Sequence, residues 1–167
     1  MSAVSSFGWL KVRAGFSKEL VVLNTPQSIK YQSQRTSLLN VSSHVSQNAE
    51  EVSFAANGIT AAGLKAFDGV LQSNIVLKTL DLSGNPIGDE GAKCLCDILI
   101  DNAGIQKLQL NSADLGDEGA KAIAEMLKKN SSLRIVELNN NMIDYSGFTS
   151  LGGALLENNT IRNIHLK

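Results

Sequence analysis

Residues 77–102 read LKTLDLSGNPIGDEGAKCLCDILIDN. Moved forward by twenty-eight residues, the same text nearly recurs as IQKLQLNSADLGDEGAKAIAEMLKKN at 105–130, and again as LRIVELNNNMIDYSGFTSLGGALLENN at 133–159. A weaker copy, AEEVSFAANGITAAGLKAFDGVLQSN, occupies 49–74, and a half copy, IRNIHLK, occupies 161–167. Such self-similarity outranks any single residue in deciding the architecture.

The copies follow, with substitutions, the pattern L-x-x-L-x-L-x-x-N. It falls on Leu77, Leu80, Leu82 and Asn85, then on Leu133, Val136, Leu138 and Asn141. The first copy has Ala49, Val52, Phe54 and Asn57; the third has Ile105, Leu108, Leu110 and Ala113. Alternation at the centre of the motif predicts a short strand with Val52/Phe54, Leu80/Leu82, Leu108/Leu110, Val136/Leu138 and Ile164/Leu166 facing inward. A helix must return the chain each time, so the strands are predicted to run parallel. Asparagine offers a donor and an acceptor to backbone groups left over where a strand turns away. Asn57, Asn85 and Asn141 are therefore expected to form a ladder interrupted at Ala113, with Asn111, Asp114 or a buried water making up the loss.

Gly88-Asp89-Glu90-Gly91 recurs as Gly116-Asp117-Glu118-Gly119. Asp89 and Asp117, with Thr60 and Asp144 in comparable places, are expected to cap the helices that begin there and to oppose the helix dipole. The run lacks the lysine and hydroxyl residue of a phosphate loop. The glycine column Gly63, Gly91, Gly119 and Gly147 points to close helix–helix approach. Apolar stripes follow at Leu64/Phe67/Leu71, Ala92/Leu95/Leu99, Ala120/Ile123/Leu127 and Phe148/Leu151/Leu155, each predicted to bury one helix face on the sheet. Lys65, Lys93 and Lys121 should face water, and Met126 should fill core. Asn74, Asn102, Asn130 and Asn158 recur at the helix ends, where a left-handed backbone is expected.

A period in the twenties with leucines at these offsets marks a leucine-rich repeat. The fold class is α/β: a right-handed solenoid, a horseshoe fragment with parallel strands on the concave face and helices on the convex face. LKTLDLSGNPIGDEGAKCLCDIL is similar to the ribonuclease-inhibitor type, the class found in NOD-like receptors and Ran GTPase-activating proteins. The whole chain resembles plant proteins of the RNI-like superfamily, some called NLRC3-like and several organelle-directed. The resemblance covers 49–167 and implies a horseshoe that binds protein. It carries over no nucleotide-binding domain and no catalytic residue.

The chain has 167 residues, a formal net charge of −1 and 43% hydrophobic residues, values that call for neither disorder nor a nucleic-acid surface. Apolar runs of four or five residues are too short to cross a bilayer. Cys94 and Cys96 are two apart, on roughly opposite sides of a helix, which misdirects them for a disulfide. Residues 1–48 fall outside the period. They hold ten serines and one acid, Glu19, against Lys11, Arg13, Lys18, Lys30 and Arg35, a composition like that of a transit peptide. The alternative is a disordered tail, or an irregular cap over the first repeat. The domain division is thus 1–48 and 49–167, with copies starting near 49, 77, 105, 133 and 161. Plastid is the expected location, with the cytoplasm as the alternative. The sequons at Asn40, Asn130 and Asn158 carry little weight without a secretory signal.

The outward columns of the strands are the candidate protein-binding face: Glu51, Thr79, Lys107, Ile135 and Asn163; Ser53, Asp81, Gln109, Glu137 and His165; and, in the third column, Asn111 and Asn139 beside Ala55, Ser83 and Lys167. No catalytic constellation, cofactor or metal site emerges; His44 and His165 stand apart from the cysteines. The expected function is a non-enzymatic protein-interaction scaffold. The alternatives are a regulator of a small GTPase and a structural fragment with no partner of its own. Expected partners are proteins, not nucleic acid and not a membrane interior. Self-association through the C-terminal sheet edge is also expected, because Ile161, Ile164 and Leu166 have no helix after them.

Overall fold

The computed structural model describes residues 9–14, 18–25, 28–32 and 50–167. His44, the Asn40 sequon and the boundary near residue 48 lie outside the described residues. Eight strands form one sheet in chain order. They are β1 (Trp9–Ala14), β2 (Lys18–Thr25), β3 (Ser28–Gln32), β4 (Glu51–Ser53), β5 (Thr79–Asp81), β6 (Lys107–Gln109), β7 (Ile135–Glu137) and β8 (Asn163–His165).

From β3 onward every pairing is parallel. Val52 pairs with Leu80, Leu80 with Leu108, Leu108 with Val136, and Val136 with Ile164. β4 to β8 are each three residues long, and the middle residue is turned toward the core in β4 to β7. Leu82, Leu110 and Leu138 also stack in the core and are at most 1% exposed.

Among the described residues, four helices return the chain. They are α1 (Ala61–Leu64), α2 (Gly88–Leu99), α3 (Asp117–Lys129) and α4 (Tyr145–Glu157). In α2 and α3 the predicted stripes are fully buried: Ala92, Leu95 and Leu99, then Ala120, Ile123 and Leu127. Met126 is core, as expected. α4 differs. Leu151 is buried, but Phe148 is 49% and Leu155 41% exposed, so this stripe is only partly covered. The first unit differs in another way. Its helix stops after four residues and continues as a 3-10 turn at Lys65–Phe67. Asp68 is extended and Gly69 has φ +76°, a conformation that costs glycine little and ends the helix. Leu64, Phe67 and Leu71 still reach full burial, and Phe54 meets Phe67 edge-on at 5.3 Å.

Three strands lie within the segment that composition alone reads as irregular. β1 and β2 are antiparallel, as are β2 and β3. Their sequences, WLKVRA, KELVVLNT and SIKYQ, concentrate the apolar and β-branched residues of that segment. The serine count of the whole stretch hides this strand-forming tendency.

Three sets of side chains tie successive units together. Asn85 Oδ1 accepts from the backbone N–H of Asn57 and Ile59, while its Nδ2 donates to the carbonyls of Phe54 and Leu82. Asn141 does the same for Ala113, Leu115, Leu110 and Leu138. At the gap left by Ala113 the turn is rebuilt from backbone. Ile87 N–H donates to the Asn85 carbonyl and Gly88 N–H to the Ala113 carbonyl. Gly88 takes φ +62° and α2 begins one residue earlier in its unit than α3 and α4 do in theirs. Neither Asn111 nor Asp114 supplies the missing bonds.

The helix-end asparagines form the second set. Asn102, Asn130 and Asn158 each donate from Nδ2 to two carbonyls of the preceding unit. Their Oδ1 atoms accept from backbone N–H groups two and three residues ahead. The expected left-handed backbone is absent: φ is −71° at Asn130 and −97° at Asn158. These asparagines recur for their amides, not for their dihedrals.

The third set corrects the capping expectation. Asp89 Oδ1 accepts from Gly116 N–H at 2.7 Å and Gly119 N–H at 2.9 Å. Asp117 Oδ1 accepts from Asp144 N–H at 2.7 Å and Gly147 N–H at 3.0 Å. Each aspartate caps the next helix, not its own. The glycine column follows from this: a Cβ on Gly119 would stand 2.6 Å from Asp89 Oδ1, and one on Gly147 2.7 Å from Asp117 Oδ1.

Candidate functional site

Among the described residues, the helices cover one face of β4 to β7, β8 is covered only in part, and no element covers the other face. The outward residues named from the sequence all lie on that open face or its margin. Backbone pairing aligns Glu51, Thr79, Lys107, Ile135 and Asn163 in one row, and Ser53, Asp81, Gln109, Glu137 and His165 in the next. The outward positions of β5, β6 and β7 are half-buried, and Asn163 and His165 are exposed.

Several of these side chains are held in place by one another. Ser53 Oγ donates to Asp81 Oδ2 at 2.8 Å, and Asp81 Oδ1 accepts from Ser83 N–H at 3.0 Å. The larger network centres on Glu137. Lys107 Nζ lies 2.8 Å from Oε1. Gln109 Nε2 and Asn111 Nδ2 donate to Oε2 at 3.1 and 2.9 Å. Asn111 Oδ1 in turn accepts from Asn139 N–H at 2.9 Å. The hydrogen-bonded Lys107 ammonium, helped by the two amides and opposed by partial burial, pulls the Glu137 carboxyl down to about 2. Glu51, Thr79, Ile135, Asn163 and His165 lie outside these two networks.

The strand-start margin adds a column the candidate set does not include: Glu50, Lys78, Gln106, Arg134 and Arg162. Lys78 N–H donates to the Glu50 carbonyl, Gln106 to Lys78, Arg134 to Gln106 and Arg162 to Arg134. Its sequence signal is the position before each outward residue, where the period runs from acidic to basic.

The two cysteines are unpaired and sit on α2. Burial pushes the Cys96 thiol up to about 12. Cys94 is also raised, mainly by burial, with Lys65 opposing and Asp97 and Asp68 adding to the rise. Both remain thiols at neutral pH, the unreactive form. Among the described residues no group of three or more His, Cys, Asp or Glu side chains could hold a metal ion, and no helix is long and apolar enough to cross a membrane.

The family profile described as Leucine Rich repeat matches residues 73–96 and 102–124. No curated protein matches the chain. Among solved structures, one titled leiomodin-1 actin-binding site 2 is similar, with a TM-score of 0.70 and 23% identity, over 77% of this chain and 76% of that one. The likeness is one of fold: strands alternating with helices in an α/β solenoid-type arrangement.

Proposed function

We propose that this chain is a non-enzymatic module that binds a protein through the open face of β4 to β8. The observation that carries the reading is the arrangement of that face. Five strands present aligned, polar, partly pre-ordered side chains, while helices block the other side. Side chains already fixed by hydrogen bonds lose less freedom on binding than mobile ones.

The reading includes a curved sheet. Helices are about 10 Å thick and strands sit about 4.8 Å apart, so a stack of such units closes up on the strand side. That curvature makes the strand side the concave face of a right-handed horseshoe segment, where solenoids commonly hold partners. The similar leiomodin-1 domain is by its title an actin-binding site, which makes purified actin one defined partner to try.

Photo-crosslinkers placed singly at Gln109, Asn111 and Thr79, and for contrast at Lys93 and Glu125 on the helices, test the reading. The expected result is one protein, or actin in the purified arm, captured from the open-face positions only. Capture from the helix positions alone, or from both faces alike, overturns it.

A further inference from the structure

The open face and its margin are not electrically uniform. Toward β4 and β5 they carry Glu50, Glu51 and Asp81, with Lys78 among them. Toward β7 and β8 they carry Arg134 and Arg162. The acid nearest these arginines on the face is Glu137, which is already neutralised by Lys107 at 2.8 Å. Arg134 and Arg162 are both exposed. They occupy adjacent turns of the stack, joined by the Arg162 N–H to Arg134 carbonyl bond at 2.8 Å, so their α-carbons are about one strand spacing apart, roughly 4.8 Å. No ion pair among the described residues uses either. Ile135, the largest apolar side chain of the outward rows, is half-buried, follows Arg134 in the chain and pairs with Asn163.

We infer that Arg134, Arg162 and Ile135 form an anchor for an acidic segment of a protein partner, with carboxylates on the arginines and an apolar side chain on Ile135. The inference deepens the binding reading above and rests on it. Guanidinium groups bind carboxylates through paired, charge-assisted hydrogen bonds. Two of them, carried on backbone positions one strand apart, fit neighbouring carboxylates of one segment. A lone arginine on a solvated surface would not provide that match. Nucleic acid fits less well. Base stacking needs aromatic platforms, and the outward rows contain none, while the exposed Tyr145 and Phe148 belong to α4. The chain as a whole is also slightly acidic, at a formal net charge of −1, which disfavours a long polyanion more than a short acidic stretch.

The test is fluorescence anisotropy of the full chain with a fluorescein-labelled peptide of glutamates flanking a leucine. The expected result is saturable binding that weakens as salt rises, weakens at least about tenfold in the double variant R134E/R162E, and falls in I135S. A lysine peptide of the same length should not bind. Both arginines are exposed, so the double variant should melt with the parent chain. If it does not, R134Q/R162Q replaces it. Unchanged affinity in the folded double variant, equal binding of the lysine peptide, tighter binding of a labelled oligouridylate, or no binding of the acidic peptide each overturns the inference. If the acidic peptide fails while open-face crosslinks persist, the acidic anchor is wrong and the binding face stands. If both fail, the reading beneath it falls as well.

Discussion

Asn85 is fully buried, and its side chain makes four bonds of 3.0 Å or less to backbone groups of two units. Asn85→Ala leaves these groups enclosed and unpaired, at about 1–3 kcal/mol each before relaxation and water entry reduce the sum. The expected loss is roughly 3 kcal/mol, read from urea unfolding. Glu137 makes a pH prediction. Its folded value lies near 2, below the ordinary carboxyl value of 4.5. A depressed carboxyl stabilises the fold fully above its unfolded value and loses that contribution as pH falls through the folded one. Stability should therefore drop between about pH 4.5 and pH 2, and Glu137→Gln should flatten that limb. A carboxyl titration by NMR should show a midpoint near 2 that rises in Lys107→Met. The asparagine at 85 was legible in the sequence because its chemistry is local to one turn. The network around Glu137 was not, because its members come from neighbouring strands and a column lists residues without saying which side chains meet.

The helices are held by their neighbours as much as by themselves. Asp89 crosses to Gly116 and Gly119, so Gly119→Ala should displace the carboxylate and cost about 1–3 kcal/mol. In an Asp89→Ala background most of that penalty should vanish, a coupling that a double-mutant cycle in urea measures directly. Gly152 is the contrast. It lies inside α4 with nothing within 4 Å of an added Cβ, so Gly152→Ala should stabilise by about 0.5–1 kcal/mol. The sequence showed the Asp and Gly columns but suggested that each aspartate serves its own helix. A further clue was available: Gly119 and Gly147 each follow an aspartate by thirty residues, whereas Ala61 occupies that place before Gly91. There a Cβ would stand 2.8 Å from Ile87 Cβ, and Leu64 and Ala61 of the preceding unit approach to 3.2 and 3.4 Å. The truncated α1 was hidden because its apolar stripe is complete; Gly69 ends the helix without moving Leu71 out of the core.

Across the whole molecule, contacts join each unit to the next and seldom reach further, so stability should vary along the stack. Hydrogen exchange should be slowest in α3 and β6, where Ile123, Leu127 and Leu108 have no exposure. It should be faster in α4 and β8, where Leu155 is 41% and Leu156 89% exposed and the outward residues of β8 are exposed. Uniform protection across these elements would contradict the stacked arrangement. The period exposed this plan in advance because every layer uses the same offsets. The three N-terminal strands share none of those offsets, and their antiparallel order followed from no repeated pattern.

The side-chain bonds between units span 26, 27, 28, 30 and 31 residues. They behave like teeth cut at one pitch. A single residue inserted into the turn after β6 would put every later tooth out of step with the one before it, whereas removal of one complete pitch would let Leu82 meet Leu138 as it now meets Leu110. Length in this chain is therefore a counted quantity: it can change by whole layers at little cost, and by fractions of a layer only by breaking the mesh.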